Sequence, residues 1–261
     1  MKEQNTLTKK TKYYSGWSVF ITVVVALALW QIAVLIFNLP AFILPPPRLV
    51  GERLITSLSD GTLLRNLSAT LLEVLAGLFT GSLLASLLGY WLAKSRLLER
   101  VLSPFLVASQ AIPMVAIAPL LVIWFGPGIF SKVLICALIV LFPVLVNTVV
   151  GLRAVPDNLR DLMHSMRATP IQMLRYLEIP AALPVLLGGL RIGATLSVIG
   201  AVVGELVGAD RGLGFLINVG RGQYDTALVF VAVFTLVAMA ITLYGSVIFI
   251  EKHLLKWRKE N

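Results

Sequence analysis

Few side chains in this sequence have the type and spacing that catalysis requires. His164 and His253 have no carboxylate or cysteine at metal-binding spacing, and Ser197 and Thr195 have no histidine near them in the sequence. A metal site needs several such ligands, and a hydroxyl nucleophile needs an adjacent base. We therefore expect no enzymatic activity, no metal site and no cofactor.

The sequence also lacks the phosphate-binding loop of ATPases, which has the form G-x-x-x-x-G-K-[ST]. The nearest string, GPGIFSK at 126–132, has serine instead of the motif's glycine immediately before its lysine. The chain is therefore not expected to hydrolyse ATP by itself.

Three ionisable residues fall inside apolar runs, where a charge is costly and suggests a function. Arg191 lies about 10 Å into its run at 1.5 Å per residue, close enough to snorkel to the surface. Glu205 lies about 21 Å further along the same run. We expect Glu205 to belong to an outer gate with Arg211 or Arg221 as its partner; an interfacial or packing role is the alternative. Glu73, about one turn inside its run, is expected at the membrane interface.

The elements that carry these residues are membrane spans. Hydrophobic residues make up 58% of the chain, charged residues 13%, and the mean hydropathy is +0.90. We predict an all-α integral membrane domain over 17–250, with a retained first helix and basic tails at 1–16 and 251–261. Six apolar runs are long enough to cross a bilayer as helices: Trp17 to Phe37, Ala69 to Ala93, Val101 to Phe125, Val133 to Leu152, Val185 to Gly208 and Ala227 to Ile250.

The distribution of basic residues predicts the orientation of these spans. With the N-terminus inside, 15 of the 22 Lys and Arg residues fall in cytoplasmic segments, six fall in outer segments and Arg191 lies in a span. Cytoplasmic loops accumulate Lys and Arg, so both termini are expected in the cytoplasm of a bacterial inner-membrane protein. The net charge of +9 is explained by this bias and by contact with anionic lipid, without a nucleic-acid partner.

This topology makes 157–184 the longest cytoplasmic loop, and its pattern predicts two helices. The first carries an apolar stripe at i, i+3, i+4 and i+7, formed by Leu159, Leu162, Met163 and Met166. The loop is therefore either an amphipathic pair lying on the lipid headgroups or a docking site for a soluble partner.

The second helix of this loop is predicted at 170–178. Thr169 can act as N-cap, with Pro170 at the first helical position and Gln172 completing a capping box. Ile171, Leu174 and Leu177 are expected on one side of this helix, and two prolines, Pro180 and Pro184, are expected to separate it from the fifth span.

The segment DLMHSMRATPIQMLRYLEIPAALPVLLGGLRIG, 161–193, resembles the signature loop of the membrane subunits of binding-protein-dependent ABC importers. That family has a Glu-Ala-Ala start, a glycine a few residues later and a final Leu-Pro. Asp161 stands for the glutamate, Leu162 and Met163 for the alanines, and Arg167 for the glycine, while Leu183 and Pro184 match the ending. The departures enlarge both small positions and add bulk and charge at the turn.

Three further segments resemble the six-helix permeases of the sulfonate, nitrate, taurine and thiamine-precursor branch: FILPPPRLV at 42–50, AIPMVAIAPLLVIWFGPG at 111–128 and GELVGADRGLGFLI at 204–217. The region from 200 to 236 looks most like members associated with riboflavin or the thiamine pyrimidine. The resemblance implies the type I ABC importer permease fold, a second permease copy in a homodimer, separate ABC ATPase subunits and an extracytoplasmic solute-binding protein.

Two sets of functional residues are expected, the first implied by the resemblance together with the loop pattern and the second by features of the spans. The ATPase-coupling set is Leu159, Asp161, Leu162, Met163, Met166, Arg167, Ala168, Thr169, Pro170, Leu174 and Leu177. The pathway and gate set is Gln110, Pro113, Pro119, Ser197 and Glu205.

The spans themselves carry two further patterns. Pro104, Pro113 and Pro119 predict kinks in the third span, although proline is common in membrane helices generally. Gln110 either lines the pathway or bonds a neighbouring helix. Small residues at four-residue spacing in the second and fifth spans indicate close helix packing, more within one protomer than at a dimer seam, and the fifth span is expected to form the central wall.

Two alternatives from other functional classes stay open on the sequence. An ion-gradient-driven secondary transporter usually shows an internal repeat and acidic residues near the midplane, and neither is evident here. A membrane assembly factor that does not transport could present the same loop but would not need a third span with three prolines.

Overall fold

The computed structural model describes residues 16–111 and 113–255, and the regular secondary structure of this part of the chain is helical. Of the predicted basic tails, 1–15 and 256–261 lie outside the described residues, while 251–254 continue α11. The helices are α1 (Gly16–Ile36), α2 (Pro47–Ser59), α3 (Thr62–Lys94), α4 (Arg96–Ala111), α5 (Met114–Phe125), α6 (Ile129–Arg153), α7 (Asp157–Ser165), α8 (Pro170–Met173), α9 (Ile179–Val207), α10 (Leu213–Gly222) and α11 (Thr226–Leu254).

Four helical stretches are long and apolar enough to cross a membrane: Thr62–Lys94, Ile129–Arg153, Pro170–Val207 and Thr226–Leu254. Phe20–Ile36 and Met114–Phe125 are shorter apolar helices. The all-α membrane fold is thus confirmed, whereas the count of six spans stays a prediction.

The third predicted span is two helices, so its description as one run from 101 to 125 is wrong. α4 ends at Ala111, and α5 begins after Pro113, whose backbone is extended at φ −66° and ψ 116°. Proline lacks the N–H that would continue the helical ladder, which favours an end at this point. Pro104 and Pro119 remain inside α4 and α5.

Helix α6 lies between α3 and α9, and small residues allow this close packing. A methyl group on Gly81 of α3 would lie 2.6 Å from the carbonyl oxygen of Ala137 on α6. A methyl group on Gly200 of α9 would lie 2.9 Å from the Cα of Cys136. The prediction that the small-residue stripes pack helices within one protomer is therefore confirmed.

The helical path from the 157–184 loop into the fifth span is continuous. α8 runs into a π-helical turn, Leu174–Glu178, in which the N–H of Ile179 bonds the carbonyl oxygen of Leu174, and α9 follows directly. The expectation that Pro180 and Pro184 separate the loop helix from the fifth span is wrong, because the helix continues through both prolines. Both prolines lie in the first turns of α9, where the π turn has already changed the bonding register.

Candidate functional site

The chain has two regions that bring polar or exposed apolar side chains together, one at each end of the bundle. The α7 end contains α7, α8 and the last turns of α3 and α6. The α10 end contains α10 and the first turns of α3 and α6. Helix α9 joins the two ends.

At the α7 end, apolar side chains are exposed to solvent on a short helix pair. No residue of α7 is buried, and Leu162, Met166 and Ile171 expose 55%, 70% and 76% of their surface. Leu159 is also exposed. We call these four residues the loop surface.

The remaining residues of the predicted coupling set lie beside the loop surface. Asp161 is exposed and Met163 is half-buried. Ile171, Leu174 and Leu177 do not form one exposed side, because Ile171 points outward while Leu174 and Leu177 are half-buried. The π turn separates Ile171 from the other two, and Met173 takes the buried position instead.

The turn between α7 and α8 has the predicted capping box. The hydroxyl of Thr169 accepts a hydrogen bond from the backbone N–H of Gln172 at 3.3 Å, and the side-chain oxygen of Gln172 accepts from the N–H of Thr169 at 2.8 Å. Arg167 precedes this cap with φ +53°, in the left-handed region that favours glycine. Arg167 therefore adopts the backbone conformation expected of the glycine in the resembled family, and Ala168 is half-buried beside it.

Two side-chain contacts anchor the helix pair to the membrane helices. Lys94 at the end of α3 pairs with the buried carboxylate of Glu178 at 2.5 Å. Arg160 of α7 donates to the carbonyl oxygen of Leu152 at 2.7 Å. Sequence reasoning missed Glu178, although an acidic residue ahead of an apolar run was a usable indication. The loop surface is therefore held on an ordered base.

At the α10 end, Glu205 of α9 is fully buried. Its carboxylate accepts from the hydroxyl of Thr70 at 2.6 Å and from the backbone N–H of Gly214 at 2.5 Å. The expected partners, Arg211 and Arg221, form no ion pair with Glu205, so that prediction is wrong. The buried donors of α3 and α10 satisfy this carboxylate instead.

Glu205 belongs to a set of side chains that cap α10 from neighbouring helices. α10 starts after Gly212, which has no side chain to serve as N-cap. The N–H of Gly212 donates to the side-chain oxygen of Asn66 at 2.7 Å, and the N–H of Leu213 donates to the hydroxyl of Thr70 at 2.8 Å. The first N–H groups of a helix need such acceptors. α3 and α9 therefore fix the position of α10.

Glycines allow α10 to approach Glu205 this closely. A methyl group on Gly214 would lie 2.9 Å from the Cβ of Glu205. Gly212 has φ +118°, and a methyl group there would overlap the Glu205 carboxylate. The glycine pair in RGLG, 211–214, was the sequence feature that could have revealed this contact.

A polar cavity of about 540 Å³ lies at the α10 end and is lined by Glu73, Lys132, Asp210 and Arg211 among others. Glu73 is buried, and it lies three turns into α3 because that helix begins at Thr62. Its expected position at the membrane interface stays a prediction. Lys132 is also buried, and its ammonium group donates to the carbonyl oxygens of Pro127 and Gly128.

The other predicted pathway residues lie in different surroundings. Pro113 and Pro119 are exposed on the surface of the protomer. Ser197 is buried between α9 and α6, where its hydroxyl donates to the carbonyl oxygen of Ala194 at 2.9 Å. The side chain of Gln110 lies outside the described residues.

The snorkelling interpretation of Arg191 agrees with the structure, in which its side chain is 29% exposed and reaches the last turn of α11. Its guanidinium pairs with Glu251 of α11 and lies over the ring of Tyr244, 5.7 Å from the ring centre. An acidic partner 60 residues away in the chain stabilises this arginine within the bundle.

Comparisons with known proteins agree on one family. Residues 66–259 match the family described as binding-protein-dependent transport system inner membrane component. The riboflavin transport system permease protein RibX of Chloroflexus aurantiacus is 48% identical over 91% of this chain and 88% of that protein. The formylaminopyrimidine transport permease protein ThiX of Halalkalibacterium halodurans is 38% identical over 90% of this chain and 93% of that protein.

A third relative and a solved structure extend this picture. The taurine transport system permease protein TauC of Escherichia coli is 33% identical over 82% of this chain and 80% of that protein. A chain of the inward-facing MetNI methionine ABC transporter has the same fold, with a TM-score of 0.64 at 22% identity over 75% of this chain and 97% of that chain. The chain therefore belongs to the family of binding-protein-dependent transport system inner membrane components, as the permease subunit of an ABC importer.

Proposed function

We propose that the loop surface, Leu159, Leu162, Met166 and Ile171, is the site at which the ATPase subunit docks. The supporting observation is that these apolar side chains are exposed while Glu178 and Arg160 hold their helices on the bundle. An exposed apolar patch on an ordered base is typical of a protein interface. Asp161, Met163, Arg167, Ala168, Thr169, Pro170, Leu174 and Leu177 shape or support this site.

We propose that the α7 end and both termini lie in the cytoplasm and that the α10 end faces the solute-binding protein. The excess of Lys and Arg in the segments of the α7 end supports this orientation. Two copies of the chain form a homodimer around the pathway, because six helices make a poor pathway alone. The pathway wall includes α5 and the end of α4 at Gln110. Pro113 and Pro119 are exposed on this wall.

We infer that Glu205 acts at the outer gate as a positioning residue. Its carboxylate, with Thr70 and Asn66, caps α10 from α9 and α3. A movement of α9 relative to α3 therefore has to move or release α10. Ser197 supports the position of α9 on the side that packs against α6.

For the substrate, we propose a vitamin or vitamin precursor of the riboflavin or thiamine-pyrimidine kind. The support is that the riboflavin and formylaminopyrimidine permeases are 48% and 38% identical to this chain, against 33% for the taurine permease. Sulfonate, taurine or nitrate is the alternative within the same importer class. Uptake of each labelled compound with its binding protein distinguishes them.

The docking proposal is tested by co-purification with the ATPase subunit. Leu162→Asp combined with Met166→Asp places two charges on the loop surface without touching a buried residue. We expect the ATPase to be lost from this variant while the permease keeps its thermal stability. Asn158→Asp is the control, since it adds a charge to the same exposed helix and removes no apolar side chain. Equal ATPase retention by the double variant and by wild type would refute the docking site.

A further inference from the structure

A second cavity, of about 590 Å³, opens at the α7 end between the end of α3, α4 and α6. Its wall is mainly apolar and includes Leu92, Phe142, Leu145, Val146 and Val149. This size is within the range of cavities that hold small-molecule ligands. The cavity lies beside the contact of Leu102 and Leu106 of α4 with the core cluster of α6.

The mouth of this cavity is charged. Arg153 at the end of α6 donates two hydrogen bonds to the carboxylate of Glu99 on α4, at 2.6 and 2.8 Å, and both residues line the cavity. The Arg153 guanidinium holds the pKa of Glu99 below its usual range, and Arg96 and Arg100 act in the same direction. Arg96 and Arg100 are exposed. One carboxylate thus faces three guanidinium groups, which leaves the rim positively charged.

An apolar cavity beneath a cationic rim is complementary to a molecule with a hydrocarbon tail and an anionic head. Near a membrane surface, basic pockets between helices bind the headgroups of anionic lipids. We propose that one acyl chain of an anionic phospholipid occupies the cavity between α4 and α6, with its phosphate at Arg96 and Arg100. The bound chain fills the space between these helices and supports α4.

Charge argues against a second copy of this chain as the occupant. A two-fold contact centred on this face would bring Arg96, Arg100 and Arg153 towards the same three residues of the partner, and like charges repel in such a contact. A lipid phosphate instead offers each guanidinium a charge-assisted hydrogen bond.

The test is native mass spectrometry of the full chain released from bilayers containing phosphatidylglycerol and phosphatidylcholine. For wild type we expect one tightly held phosphatidylglycerol per protomer. Arg96→Gln combined with Arg100→Gln should weaken this binding about 30-fold, since each of the two cations near the surface contributes about 1 kcal/mol. Arg48→Gln combined with Arg221→Gln, two exposed arginines at the α10 end, should leave it unchanged.

A second variant tests the cavity without changing charge. Val146→Trp fills the space between α4 and α6 and should displace the lipid while Arg96, Arg100 and Arg153 remain. Phosphatidylglycerol bound equally by this variant and wild type would overturn the placement of the acyl chain. If wild type retained phosphatidylcholine as well as it retains phosphatidylglycerol, the role of the arginines would be overturned. Efficient disulfide crosslinking of Val146→Cys between protomers would assign the cavity to a second copy instead.

Discussion

Replacement of Glu205 separates a capping role from a role as an ion-pair partner. Glu205→Ala removes the acceptor of the Gly214 N–H inside a fully buried site. An orphaned buried donor costs about 1–3 kcal/mol, and the lost side-chain volume adds about 1 kcal/mol. The hydroxyl of Thr70 can still donate to the carbonyl oxygen of Asn66, at 3.2 Å. We therefore expect α10 to lose about 2–4 kcal/mol of local stability.

Glu205→Gln should be much milder than Glu205→Ala. The amide oxygen of glutamine can accept from Gly214, and its NH₂ can donate to the hydroxyl of Thr70, so the expected loss is about 1 kcal/mol. An ion pair would behave differently, because glutamine removes the charge as completely as alanine does.

Hydrogen exchange of the backbone amides at 212–216, in nanodiscs, measures this difference. Local opening of α10 should increase exchange by about 30-fold to several hundred-fold in Glu205→Ala and by about fivefold in Glu205→Gln. Glu52→Ala, at an exposed glutamate of α2, is the matched control and should leave these amides unchanged. Equal acceleration in the alanine and glutamine variants, reproduced by Arg211→Gln, would refute the capping interpretation.

Two further substitutions test the backbone at each end of the molecule. Gly212→Ala should release α10 as strongly as Glu205→Ala, because a methyl group would overlap the Glu205 carboxylate at a positive φ; unchanged exchange at 212–216 would contradict this. Arg167→Gly should change the free energy of unfolding by less than about 1 kcal/mol and should retain the ATPase. Glycine relieves the strain of the left-handed backbone, which is stabilising, but it makes the unfolded chain more flexible, which is destabilising by a similar amount. Arg167→Val should lower the melting temperature, and equal melting temperatures for the glycine and valine variants would show that φ +53° carries no strain.

Local sequence rules predicted the parts of this molecule that depend on neighbouring residues. The capping box at Thr169 and Gln172 formed as expected because both hydrogen bonds join residues three positions apart. The small-residue stripes likewise reported helix contacts correctly, since the spacing of Gly77 and Gly81 places them on one face of α3.

Contacts between distant parts of the chain escaped those rules. The partners of Glu205, Glu178 and Arg191 lie 135, 84 and 60 positions away, and no periodicity links such pairs. The prediction of one continuous third span is wrong for a related reason. Its three prolines look equivalent in sequence, yet α4 and α5 accommodate Pro104 and Pro119 while the helix ends before Pro113. Tertiary packing decides among them.

Helix α9 gives these long-range contacts a common mechanical consequence. Glu178, which anchors the loop surface, and Glu205, which caps α10, are 27 positions apart on a continuous helical path, or about 40 Å at 1.5 Å per residue. The close packing of Gly200 against Cys136 prevents α9 from bending freely towards α6. We propose that a displacement of the loop surface is transmitted to the cap of α10 as a movement of the whole helix. Loss of the Lys94 contact to Glu178 should weaken this transmission while leaving the α10 cap itself intact.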